Sequence, residues 1–432
     1  MDATAPTPTE TPNNGGGLKR ALFLVGSGYL IFLLCDPRDG LAKLSLQYLL
    51  KDHLHLTSEK MAAFKAIVFF AWYCKPLAGL LTDSFPIFGS RRRSYLFLST
   101  GTIALLWLAI GILPKTYDTL LWGILILNIG LVLGQTTLGG LMVQAGKGGN
   151  ATGRLTSQRI GAENASSLIA GLAGGWLAAQ AFGYTIGINF LLAFLLFVIV
   201  LRQLHESKTE QGEIASWETR KIQLTTLAKS KTMWIATGFW FLVRFAPGLQ
   251  TQFFYYQTET LKLTPEFIGF LSFLNAGAGI IGCFIYALIC RKMSLRNLLY
   301  LGVTLNVLAT FLYLIYTSRG TAMVAETSLG FAVGMSWLAI LDLLARSAPK
   351  GCEALGYALI FALGNLSISI SDIAGSWLFA HMNQNFMNLV WVNVGTTALI
   401  LVVVPFLPKM LVEHRDGETP PLVTREEGHP GH

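Results

Sequence analysis

Residues 204–231 read LHESKTEQGEIASWETRKIQLTTLAKSK, the only long charged stretch inside a chain that is otherwise mostly apolar. A helix needs about 20 mostly apolar residues to cross the hydrocarbon of a bilayer. Six such runs precede the stretch, at 21–49, 58–82, 93–113, 119–145, 152–181 and 184–203. Six more follow it, at 232–257, 266–289, 295–316, 321–345, 353–379 and 387–408. Unsatisfied backbone is costly in lipid, so these runs are predicted to be helices. The expectation is an all-α membrane protein with about twelve transmembrane helices in two six-helix bundles, at 21–203 and 232–411. A cytoplasmic linker joins them at 204–231, and disordered tails flank them at 1–20 and 412–432.

Composition agrees. Of 432 residues, 53% are apolar types and only 13% are charged, and the mean hydropathy is +0.53. A soluble domain carries about 25% charged residues. The net charge of +8 does not point to nucleic acid, because the basic residues form no stripe with interleaved aromatics. They gather in loops on one side: Arg91, Arg92, Arg93, Lys147, Arg202, Lys208, Arg291 and Lys292 are examples. The opposite loops hold only Lys51, Lys60, Lys115, Lys262 and Arg319. By the positive-inside rule both termini are cytoplasmic. Five cysteines lie in or beside apolar runs without metal-ligand spacing, and no histidine falls in the middle of a run, so no metal, cofactor or histidine relay is expected. Residues 1–20 lack the features of a signal or transit peptide.

The two halves repeat each other. Gly40-Leu41 recurs as Gly248-Leu249, and Leu54-His55-Leu56-Thr57-Ser58-Glu59 recurs as Leu261-Lys262-Leu263-Thr264-Pro265-Glu266. Ala173-Gly174-Gly175-Trp176-Leu177 recurs as Ala374-Gly375-Ser376-Trp377-Leu378. Two six-span halves in one orientation resemble the major facilitator transporters, which bind substrate near the midplane.

Charges inside the spans carry the functional expectation. The first span contains Asp36-Pro37-Arg38-Asp39-Gly40 and Lys43, the second Lys65 and Lys75, the fifth Arg154, Arg159 and Glu163, the seventh Arg244. Asp342 lies in the tenth span and Asp372 in the eleventh. Each ion at the bilayer centre costs about 2.5–3.5 kcal/mol even on the lenient scale, so these groups must face water or one another. Asp39 with Lys43, Arg159 with Glu163, and Asp342 with Arg346 are each four apart on one helix face. Each pair reads equally as a structural or gating ion pair and as a substrate contact. Asp36, Arg38, Arg154 and Arg244 have no such same-helix partner and favour function. The repeat register brings Asp36 within a residue of Arg244, so the two are expected at matching depths in opposite halves. Pro37 and Gly40, and Pro247 and Gly248, allow each of these spans to kink or unwind. Gln144, Gln158, Gln250 and Asn275 extend the polar lining. Trp72, Trp122, Tyr184 and Trp240 read as interface anchors or packing.

Gly79-Leu80-Leu81-Thr82-Asp83 with Gly89-Ser90-Arg91-Arg92-Arg93 resembles the loop between spans two and three of the major facilitator superfamily. The resemblance implies a gating role for Asp83, Arg91, Arg92 and Arg93. The longer stretch from Lys75-Pro76 through Asp83-Ser84-Phe85-Pro86-Ile87-Phe88-Gly89 to Ser94-Tyr95 is similar to the signature of the folate–biopterin transporter family, as is Asp36-Pro37-Arg38-Asp39-Gly40. What this implies is proton-coupled uptake of folates or pterins by alternating access, by a monomer in the inner (plasma) membrane. The short N-terminus is more similar to bacterial or cyanobacterial members than to unprocessed plastid ones. A pterin edge suits Asp36, Asp39 or Asp342, and the carboxylates of folate suit Arg38, Arg154 or Arg244. Lys75, Glu163, Arg346 and Asp372 are expected in coupling or gating. The alternative is a carrier of another organic anion. An intramembrane enzyme is disfavoured, since the spans hold no nucleophile–base set and no HExxH.

Overall fold

The structure is a computed structural model that describes residues 15–88, 90, 92–148, 152–204, 217–246, 250–349, 352–382 and 385–415. Apolar runs make nearly all of these residues helical. In the first half the long helices are α1 (Gly15–Leu34), α6 (Arg93–Ile112), α7 (Tyr117–Gly148), α8 (Thr152–Ala178) and α9 (Phe182–Gln203). Short pieces interrupt that order: α2 (Lys43–Tyr48), α3 (Ser58–Val68), α4 (Phe70–Tyr73) and α5 (Lys75–Ser84). The second half runs α10 (Trp217–Lys229), α11 (Lys231–Arg244), α12 (Thr251–Tyr255), α13 (Pro265–Ile289), α14 (Leu295–Phe311), α15 (Arg319–Ser347), α16 (Glu353–His381), α17 (Phe386–Val403) and α18 (Lys409–Val412).

Among the described residues eight helices are long and apolar enough to cross a membrane: α6, α7, α9, α13, α14, α15, α16 and α17. The predicted spans at 21–49, 58–82, 152–181 and 232–257 are not among them. Those four carry Asp36, Lys75, Arg159 and Arg244, whereas Asp342 and Asp372 lie on α15 and α16, which are among the eight.

Three of the four are broken. The first span stops at Leu34 and restarts at Lys43, leaving Cys35–Ala42 as a tight loop. Gly40 donates its N–H to the Asp36 carbonyl at 2.7 Å, and Leu41 donates to Leu34 at 2.9 Å. A Cβ at Gly40 would lie 2.5 Å from the Leu33 carbonyl oxygen and 2.6 Å from that of Asp36, so this turn requires glycine. The second span kinks at Phe69 and Cys74, with Pro76 inside the first turn of α5, where its missing N–H costs nothing. In the seventh span α11 ends on Arg244 and helix resumes at Thr251; the expected Pro247-Gly248 break lies outside the described residues.

The internal repeat is present in the backbone. The first and seventh spans each end in a π-helical turn, Leu49–His53 and Tyr256–Thr260. Each turn closes on a left-handed residue, His55 at φ 51° and Lys262 at φ 50°. Leu54 and Leu56 donate to the carbonyls of Leu49 and Leu50, and Leu261 and Leu263 donate to those of Tyr256 and Gln257. The Thr57 hydroxyl then accepts from Lys60 N–H, as the Thr264 hydroxyl accepts from Phe267 N–H, both at 3.4 Å. Trp176 and Trp377, matched in the third repeat, are both about half exposed.

The chain forms two compact units, Met1–Arg220 with Phe254–Ala276, and Lys221–Phe253 with Gly277–His432. In the first, α1 packs on α7, α8 and α9, and α6 packs on α7 and α9. Gly171, Gly175 and Gly269 let α8 and α13 cross backbone to backbone, since a Cβ at Gly175 would lie 2.7 Å from Gly269 Cα. Lys51 pairs with Asp52 at 3.1 Å and Glu259 at 3.6 Å, and the Tyr255 hydroxyl donates to the Leu56 carbonyl. In the second unit α14 packs on α15 and α17, and α11 packs on α16 and α15. The segment expected to be a linker loop contains α10, which inserts Leu227 into this unit's core.

Candidate functional site

The first unit gathers most of the predicted charges around the break in the first span. Asp36 is 2% exposed, and its Oδ1 accepts the Arg38 N–H at 2.9 Å, which fixes the turn. The Arg38 side chain donates Nε to Asp39 Oδ2 at 2.9 Å, and Lys43 reaches Asp39 Oδ1 at 3.5 Å. Asp39 therefore bridges two cations while its side chain stays 61% exposed.

Aromatic faces orient the cations. The Arg38 guanidinium lies 4.7 Å from the Trp72 ring centre and 5.9 Å from that of Phe69. Lys75 approaches the same Trp72 at 5.4 Å. Trp72 is held by its Nε1, which donates to Asn128 Oδ1 at 2.9 Å, while Asn128 donates to the Ile124 carbonyl. Arg159 pairs with Glu163 at 2.9 Å and sits 5.1 Å from the Tyr29 ring. Lys75 feels the charges of Arg159, Arg38, Glu163 and Asp36, so these groups form one electrostatic cluster. With Lys43 and Asp39, which pair beside Arg38, it counts four cations against three anions. Gln158 packs on Gly26, and its Oε1 is buried without a hydrogen-bond partner among the described residues.

In the second unit Arg244 lies 5.2 Å from the Trp240 ring centre and 5.9 Å from that of Trp337. Both halves thus carry an arginine at the break of their first span, braced on tryptophan. Asp372, 5% exposed, accepts Thr251 N–H at 2.9 Å, Thr251 Oγ1 at 2.7 Å and Gln252 Nε2 at 3.3 Å. It is the anchor on which α12 restarts. Asp342 binds Arg346 through two bonds of 2.9 and 2.7 Å. Arg346 also donates to the carbonyls of Leu411 and His414, so the pair ties the end of α15 to the chain beyond α18.

The remaining predicted residues lie elsewhere. Arg154 and Gln144 are exposed on α8 and α7, Gln250 is exposed beside α12, and Asn275 is half-buried on α13. Arg92 packs its guanidinium against Gly140, where a Cβ would overlap it, and Arg93 is exposed at the start of α6. Arg91 and the Asp83 side chain lie outside the described residues.

Sequence reasoning passed over the tryptophans. Trp122 and Tyr184 are about 60% exposed, as interface anchors are, whereas Trp72 and Trp240 are 3% and 2% exposed and carry cations. Their spacing held the signal: Trp72 to Lys75 is one turn of helix, as is Trp240 to Arg244. Glu326, 8% exposed on α15, was also passed over.

An all-helical fold with repeated halves, broken spans and intramembrane charge defines a class. The chain superposes on a D-xylose–proton symporter with a TM-score of 0.71 at 15% identity, covering 90% of this chain and 98% of the other. It superposes equally on a nucleoside transporter, with a TM-score of 0.71 at 12% identity, covering 90% and 99%. Its fold is that of the major facilitator transporters. Within that fold the BT1 family matches residues 38–420, and the chain belongs to this family. Among its relatives is the "Folate-biopterin transporter" of Synechocystis sp., 27% identical over 387 residues, with 85% of this chain and 78% of the relative covered. "Folate transporter 1" of Plasmodium falciparum is 25% identical over 374 residues, covering 81% and 72%. "Probable folate-biopterin transporter 4" of Arabidopsis thaliana is 24% identical over 411 residues, covering 77% and 84%. The family and these relatives are transporters, not enzymes.

Proposed function

We infer that this chain is a secondary active transporter of folates or pterins, working by alternating access and taking up its substrate with protons. It would cross the inner (plasma) membrane twelve times, as a monomer with both termini in the cytoplasm. The observation that carries the reading is the cluster at the first-span break. Arg38, Lys43, Lys75 and Arg159 outnumber Asp36, Asp39 and Glu163 there, and the Arg38 guanidinium lies over Trp72, 4.7 Å from its ring centre. A planar guanidinium matches a carboxylate through paired N–H bonds, and stacking on an indole holds it in one plane. The glutamate tail of folate offers such carboxylates, which would compete with Asp39 for Arg38 and Lys43. Asp39, once displaced, suits the amino-pyrimidinone edge of the pterin ring. The names of the relatives support folate or pterin as cargo.

The test is uptake of labelled folic acid into cells expressing the chain, with pterin and unrelated organic anions as competitors. Competition by folates and pterins alone, abolished by a proton ionophore, is the expected result. Equal competition by every organic anion would replace folate by a general anion and leave the carrier standing.

A further inference from the structure

We propose that Glu326 is the proton-binding site of the transport cycle, linked to the broken seventh span through Tyr313 and Phe253. This rests on the proton-coupled reading above, which names no carrier of the proton.

Glu326 lies on α15 seven residues beyond Arg319, about 10 Å along the axis at 1.5 Å per residue. In the proposed topology that end faces away from the cytoplasm, so Glu326 is reached from the side where an inward proton gradient starts. Val324 and Val333 on the same helix are exposed, as lipid-facing positions are, while Glu326 is 8% exposed and turned inward. A buried ionisable group at such depth marks an ion or proton pathway more often than packing.

Its surroundings suit a group that changes charge. Glu326 Oε1 accepts from the Tyr313 hydroxyl at 2.9 Å. Tyr313 faces it from the turn that precedes α15, and Tyr316 stacks on Tyr313 with ring centres 5.3 Å apart. The charge on its own helix towards the start is Arg319. A phenol can donate to Oε1 whether or not the other carboxyl oxygen carries a proton, so the bond survives both states. The other carboxylates of the expected spans have partners of their own: Asp36 the Arg38 N–H, Asp39 the side chains of Arg38 and Lys43, Glu163 Arg159, Asp342 Arg346, and Asp372 Thr251 and Gln252.

The link to the transport machinery is aromatic. The Phe253 ring centre is 5.2 Å from Tyr313, 5.1 Å from Tyr316 and 5.5 Å from Phe386. Phe253 belongs to α12, the helix that restarts on Asp372. A hydronium ion would transfer its proton to Glu326 and leave as water. The neutral acid then weakens its hold on Tyr313, and the ring packing passes the change to α12. Release of the proton towards the cytoplasm restores the carboxylate.

The experiment uses the full chain in proteoliposomes. Wild type should accumulate folate under an imposed pH gradient, and E326Q should lose at least about tenfold of that accumulation while exchanging internal for external folate within about twofold of wild type. E326D should restore accumulation, and Tyr313→Phe should keep transport but move its pH midpoint. Accumulation by E326Q equal to wild type overturns the proposal. So does loss of exchange in correctly inserted E326Q, which would put the carboxylate in permeation instead of coupling. If wild type carries no folate at all, the substrate reading fails. The proton site is then judged by infrared spectroscopy: a protonated-carboxyl band that titrates in wild type and is absent in E326Q supports it, and identical bands overturn it.

Discussion

Replacing Asp372 by alanine tests whether a carboxylate from one helix builds the restart of another. Asp372 accepts from Thr251 N–H, Thr251 Oγ1 and Gln252 Nε2, all buried and 120 or 121 residues away in sequence. Gln252 keeps its 2.8 Å bond to the Asp372 carbonyl and its contact with Ser376, so it loses little. The Thr251 amide loses its bond to a charged acceptor, worth about 1.5–3 kcal/mol. Loss of the charge-assisted bond from its hydroxyl adds about 1–2 kcal/mol. The sum is roughly 2–5 kcal/mol. At about 2–4 °C per kcal/mol for a unit of this size, the melting temperature should fall by on the order of 10 °C. Asn can still accept from the Thr251 amide, so D372N should lose less than half as much. Thermal unfolding of the purified protein in detergent measures both, and hydrogen exchange at 251–260 localises the loss. A D372A protein that melts within about 2 °C of wild type, with unchanged protection at 251–260, refutes the reasoning.

R38Q removes a charged donor worth about 1.5–3 kcal/mol, so half-saturation for folate should rise roughly 10–150-fold. Pterin, which lacks the glutamate tail, should be affected far less; equal loss for both substrates would remove Arg38 from the carboxylate subsite. Gly40→Ala must push the carbonyls of Leu33 and Asp36 aside, and should cost about 1–3 kcal/mol of stability by thermal unfolding. D342N should leave folate uptake within about twofold of wild type, because the Asp342–Arg346 pair is partly exposed and worth about 1 kcal/mol or less. Its effect should appear as faster proteolysis at 409–415, where Arg346 anchors the chain.

The internal repeat was legible because recurrence is a property of text. Leu54-His55-Leu56-Thr57 and Leu261-Lys262-Leu263-Thr264 recur in sequence, and their π-turns, left-handed residues and threonine caps recur in space. Ion pairs four residues apart were equally legible, since helical spacing alone brings Arg159 to Glu163 and Arg346 to Asp342. What stayed hidden were partners distant in sequence. Asp372 and Thr251 meet through tertiary packing that no local pattern encodes. Trp72 and Trp240 were legible as apolar bulk but not as cation holders, because depth and burial cannot be read from a residue's position near the end of a run. Glu326 was missed because its partner Tyr313 sits in the 3-10 turn Leu312–Ile315 before α15, outside the four-residue window in which pairing was sought.

Intramembrane charge was expected to face water or other charge, and the structure divides the residues between these two solutions. The Asp342–Arg346 pair is mostly covered, with side chains 28% and 22% exposed, and its remaining donors go to backbone carbonyls. That is structural closure. Asp39 and Lys43 are different: they pair, yet their side chains remain 61% and 48% exposed. Arg159 and Glu163 are likewise about 40% exposed. Acyl chains cannot solvate such groups, since even the lenient cost is about 2.5–3.5 kcal/mol per ion. In the proposed carrier, water reaches the break between α1 and α2, where the Asp39 side chain is 61% exposed and that of Arg38, over Trp72, is 27% exposed. A loose exposed pair gains little from its own Coulomb attraction, about 0–1 kcal/mol. On the proposed reading an incoming carboxylate has little to displace, as suits a site that binds and then releases its cargo.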